Sequence, residues 1–126
     1  MRTTLQQMAD LLDAAPHLQA RGALFSETVL LKVDGAEFFM SFDKGRIARI
    51  IEGPSPRTVY RFGLETDAEA LRAFWTPTPA PGFHDIFAMV KIGRARIVGD
   101  ILMLVKNLMF IKEVLALPRG ERGDAP

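Results

Sequence analysis

No cysteine occurs in this chain, which excludes disulfide bonds, thiol nucleophiles and cysteine-ligated metal. Histidine is nearly as scarce. His17 and His84 are the two present and lie far apart, so a two-histidine metal site has little support. Net charge is close to absent at +1, and no strong general attraction to nucleic acid is expected. No apolar run approaches the roughly 18 residues of a membrane-spanning helix. The N-terminal stretch MRTTLQQMAD lacks the apolar centre of a signal peptide, which points to a cytoplasmic location. The glycines form no phosphate-cradling loop ahead of a helix, so no nucleotide or other cofactor is expected. No serine sits in a Gly-x-Ser-x-Gly turn.

What is present is an ordinary globular composition: 126 residues, 48% apolar and 25% charged, enough for one domain with a sheet covered by helices. Thr4 and Gln7 have capping-box spacing, and Leu5, Met8 and Leu12 repeat on one face, predicting a helix over 4–14. From 26 to 64 the apolar period falls to two. Val29, Leu31 and Val33 share a face, Asp34-Gly35 reads as a hairpin turn, and Phe38, Met40 and Phe42 line the returning strand. After Asp43-Lys44-Gly45, Ile47 and Ile51 are placed on one side and Ile50 on the other. Pro54 and Pro56 mark a loop, and a fourth strand is predicted over 58–64, completing an antiparallel meander. Leu30 and Phe39 make these strands apolar on both sides, so the second face must also be covered.

Thr66 and Glu69 have capping-box spacing for a helix over 66–75, with Leu71, Phe74 and Trp75 on its apolar face. Pro77, Pro79 and Pro81 enforce an extended connection. A helix over 84–91, a strand over 92–98 and a helix over 100–117 follow, the last capped by Asp100. Leu104, Leu108, Ile111 and Leu115 form a stripe that suffices to dock the last helix. Leu102, Met103, Met109 and Phe110 fall on its other half, a surplus that fits a cavity mouth or a subunit contact. Residues 118–126 read as a polar tail.

Two clusters could carry chemistry. Lys91, Arg94, Arg96 and Lys106 form a basic patch, readable as a solvated face, a rim for an anionic headgroup, or a transient contact with an anionic membrane. The aromatics do not alternate with these bases, which argues against RNA. His84-Asp85 is an acid–base candidate on a lipid-like substrate. However, Asp85 stands where a helix begins, and capping is the simpler role.

The segment from Pro81 to Asp100 resembles the C-terminal half of the sterol carrier protein type 2 family. The residues that carry the likeness are Asp85, Ala88, Met89, Gly93, Arg94, Arg96, Ile97, Gly99 and Asp100. Two positions depart from the family pattern: Ile86 stands where proline is frequent, and no phenylalanine separates Ala88 from Met89. With the strands upstream, the likeness extends over 18–117. It implies an α+β fold, an about five-stranded mainly antiparallel sheet flanked by helices and enclosing an apolar cavity. It also implies a non-enzymatic carrier of a fatty acid, acyl-CoA, phospholipid or sterol-like molecule. Phe74, Trp75, Phe87, Met89, Leu102, Met103, Met109 and Phe110 are the candidate cavity residues. A homodimer or partner-docking module would use the same apolar surplus.

Overall fold

The computed structural model describes residues 1–119. Helix α1, Arg2–Asp13, is followed by a second short helix, α2, Pro16–Arg21. Thr4 and Gln7, the expected capping pair, lie inside α1, and Met1 is its N-cap with no side-chain bond. Pro16 does more than end the first helix. It begins α2, at the first-turn position where the missing N–H costs nothing, and His17 lies on this helix.

Strands β1 (Thr28–Val33), β2 (Ala36–Asp43) and β3 (Arg46–Glu52) form two hairpins. Their turns have positive φ at both central residues, Asp34-Gly35 and Lys44-Gly45, the geometry that matches the twist of paired strands. The meander ends there. β4, Phe62–Thr66, pairs in parallel with β1, and β5, Arg96–Gly99, pairs antiparallel with β4, giving the order β3-β2-β1-β4-β5. Residues 58–61 are not strand. The connection 53–61 returns past the outer face of the sheet, where Leu30 and Phe39 are buried apart from the main core. The Tyr60 ring sits 6.2 Å from that of Phe39, so this connection covers the second apolar face. A β-bulge at Ala48 also changes β3. Ile47 opposes Phe42 while Ile50 opposes Met40, so both face the core and Ile51 faces out with Phe39.

The helices pack on the inner face. Leu5, Met8 and Leu12 of α1, Leu18 of α2 and the inner residues of β1 and β2 are buried together. Helix α3, Ala68–Phe74, is capped by Asp67, whose carboxylate accepts from Ala70 N at 2.7 Å. Thr66, expected in a capping box, instead donates to Arg94 O. Helix α4, Ile86–Lys91, has Asp85 as its cap.

The single helix expected over 100–117 is two, α5 (Ile101–Lys106) and α6 (Leu108–Ala116), followed by a 3-10 turn, Leu117–Arg119. Asn107 is the break. Its side-chain amide donates to Met103 O at 2.9 Å, the carbonyl its own backbone N–H would take in a continuous helix. That N–H bonds Leu104 O instead. The turn rotates α6, so Phe110 and Val114 enter the core and Leu108 is only half-buried. The polar tail expected over 118–126 starts within the 3-10 turn, and 120–126 lie outside the described residues.

Candidate functional site

Towards the β4–β5 side, the inner face of the sheet and three helices enclose a crevice without a polar side chain. Val29, Phe62, Leu64 and Ile97 supply the sheet wall. Ile86 of α4, Leu104 of α5 and Ile111 and Leu115 of α6 close it. Its volume is ≈ 10 Å³, about the space one water centre needs, and an apolar wall offers that water no partner. The crevice is narrow and apolar.

Ile86 is shared with a second, surface pocket of ≈ 240 Å³. Phe74, Met109 and Ala116 give this mouth an apolar floor, while His84, Asp85, Lys112, Glu113 and Arg119 form its polar side. Asp85 organises that side. Its carboxylate accepts from Ala88 N at 2.8 Å and lies 3.5 Å from Lys112 Nζ. Partial burial pushes the Asp85 carboxyl up, but the Ala88 bond and the Lys112 charge outweigh it and hold the group below the ordinary carboxylate range. His84 Nε2 is 3.8 Å away, beyond hydrogen-bond reach, and its side chain is 60% exposed. Arg119 donates from Nε to Phe74 O and from Nη2 to His84 O, and its guanidinium lies over the Phe74 ring at 4.8 Å. The site is thus a narrow apolar slot next to an amphipathic surface pocket, with Ile86 lining both.

The residues expected to line the cavity scatter. Phe74 and Met109 reach the mouth; none of the eight lines the crevice. Met89 is fully buried in the core and Phe87 packs half-buried against it. Phe110 is buried between Phe25 and Phe42, with both ring centroids at 5.8 Å. Met103 is half-buried, and Leu102 stands in solvent at 73% exposure. Trp75 faces a different pocket beside Met1 and Leu71, yet its indole N–H donates to Leu115 O, on the crevice wall, at 2.8 Å.

The basic residues do not form a common rim. Arg94 bonds Asp67 and Glu69, and Arg96 bonds Glu65 at 2.6 Å; Lys91 and Lys106 are exposed. The Ala70 N–H, opposed by slight burial and aided by Arg94, holds the Asp67 carboxyl below its usual range. Sequence reasoning misses Ile86, Ile97, Lys112 and Arg119 as site residues. The legible signal is the stripe Leu104, Ile111 and Leu115, which docks the helices and also walls the crevice. Among the described residues no acidic or histidine cluster could hold a metal, and no helix is long and apolar enough to cross a membrane.

A five-stranded, mostly antiparallel mixed sheet with helices over one face matches the sterol carrier protein 2 type of α+β fold. A crystal structure of sterol carrier protein 2 has a TM-score of 0.73 at 12% identity, covering 94% of this chain and 95% of that one. A conserved hypothetical protein from Thermus thermophilus, for which sterol carrier protein is the suggested identity, gives 0.69 at 12% identity over 100% and 90%. A UbiJ-SCP2 ubiquinone synthesis protein gives 0.60 at 14% identity over 94% and 93%. No known family profile and no curated protein matches the sequence. At these identities the likeness is one of fold.

Proposed function

We propose that this chain is a non-enzymatic, cytoplasmic carrier of a hydrophobic ligand, with residues 1–117 acting as one lipid-carrier-like domain. The observation that carries this reading is the apolar crevice between the sheet and α4–α6, joined at Ile86 to an amphipathic mouth. A chain or ring system would enter past Ile86 by displacing Leu104, Ile111 and Leu115, and burial of its apolar surface would drive binding. The polar side of the mouth, which includes Lys112, would face the ligand's headgroup. The fold shared with sterol carrier protein 2 supports a lipid. The likeness to a ubiquinone synthesis protein adds ubiquinone to the ligands that should be tried.

The non-enzymatic reading draws on His84 and Asp85. The carboxylate is engaged by Ala88 and Lys112, the imidazole is out of bonding range, and among the described residues the mouth is lined by no serine, threonine or cysteine.

The test is native mass spectrometry of freshly purified protein together with an oleate titration followed by Trp75 emission. A co-purified lipid and a saturable emission change are expected, because opening the crevice moves Leu115 and hence the Trp75 bond. Protein that carries no lipid, shows no emission change and does not displace a fluorescent fatty acid overturns the reading.

A further inference from the structure

We propose that α5 is the surface by which this protein docks on an anionic lipid bilayer. The inference rests on the carrier reading above, in which a membrane can serve as source or sink of the ligand. Helix α5 reads ILMLVK, and Leu104 is its one buried residue. Ile101, Leu102 and Val105 are 49%, 73% and 51% exposed. Val105 lies one turn beyond Ile101 and three residues beyond Leu102, so the three form one largely exposed face flanking the buried Leu104. Met109, just past the Asn107 break, is 65% exposed as well. A helix on a water-facing surface normally turns polar residues outward; α5 does the reverse.

Charge selects the occupant. From 101 to 112 the sequence has no acidic residue, and its charged residues are Lys106 and Lys112. Lys112 pairs with Asp85, whereas Lys106 is exposed and has no ion-pair partner among the described residues. Lys106 stands one turn beyond Leu102, so its ammonium can reach phosphate while Leu102 enters the acyl region. The carboxylate before the helix, Asp100, is held by Met103 N and lies 3.8 Å from Arg61. A second copy of the chain fits less well. The exposed apolar side chains present a few hundred Å² at most, short of the roughly 800 Å² each partner gives to a stable interface. The surface also adjoins the ligand route, since Leu104 on the inner side of the same helix closes the crevice.

The experiment is cosedimentation of the full chain with vesicles of phosphatidylcholine alone and of an equal mixture with phosphatidylglycerol. Binding to the mixed vesicles is expected, weakening with salt. Leu102→Ser with Val105→Ser should lower the partition coefficient about tenfold or more, and Lys106→Glu should remove the preference for phosphatidylglycerol. Thermal unfolding followed by circular dichroism shows that each variant is folded; the single change Leu102→Asn serves if the double variant is not. Undiminished sedimentation of the folded apolar variants overturns the inference. So does a shift from dimer to monomer in sedimentation velocity, which would make α5 a subunit contact. Wild type that takes up oleate in solution but ignores both vesicles removes the docking surface and leaves the carrier. Wild type that binds vesicles through α5 yet takes up no lipid leaves the surface and removes the carrier.

Discussion

Asp85 illustrates how a residue noticed for chemistry is explained by structure. Its carboxylate satisfies an orphan N–H at the start of α4 and attracts Lys112, tying α4 to α6 beside the mouth. Asp85→Ala should cost about 1 kcal/mol at neutral pH, and Asp85→Asn less, since asparagine also caps. The pH dependence follows from the direction of the shift. The folded carboxyl titrates below its unfolded value, so its contribution is complete above an unfolded pKa of about 3.9 and is lost as pH falls through the folded value. Urea denaturation should therefore show a gap between wild type and Asp85→Ala at neutral pH that narrows as pH falls below the unfolded carboxyl value of about 3.9. A gap that is constant with pH would remove the charge from the account. The caps at Asp85 and Asp100 were legible because a short acidic side chain before an apolar run has few other reasons to be there. Phe110 was not legible. Its buried side became visible only with the turn at Asn107, since an unbroken helix places it opposite Leu104.

At the scale of elements, turns were easier to read than faces. Asp34-Gly35 and Lys44-Gly45 announce hairpins by composition, but they are not equivalent in the fold. A Cβ on Gly35 would meet nothing within 4 Å, whereas on Gly45 it would lie 2.5 Å from Gln19 O and 2.9 Å from the Gly22 carbonyl carbon. The β2–β3 turn is packed against the end of α2. Both glycines have φ near +87°, so alanine at either carries left-handed strain of about 1 kcal/mol or more. Gly45→Ala adds a clash with backbone that cannot swing aside. Its melting temperature should fall clearly further than that of Gly35→Ala, and equal losses would show that the α2 contact is soft. The bulge at Ala48 and the parallel pairing of β4 left no local trace. Both are decided by where Leu30, Phe39 and Ile51 find cover, which is a matter of tertiary packing.

For the whole molecule, the likeness over 18–117 was legible because a helix, basic strand, Gly-Asp and helix occur in that order near the end of the chain. The crevice was not, since its walls are the same aliphatic side chains that build any core. The order of strands has a further consequence, in time. β1 finds β2, and β2 finds β3, across two-residue turns, so those ladders close locally and early. β4 can join β1 only after the hairpins and the 53–61 connection have been traversed, and β5 only after α3 and α4. The part of the sheet that walls the crevice is assembled last and should open at the lowest free energy. Amide hydrogen exchange should be faster at Leu64 and Ile97 than at Phe39 and Met40, and bound lipid should slow the first pair more. The reverse order would mean that the slot is the rigid half, and that ligand must wait for the whole chain to unfold.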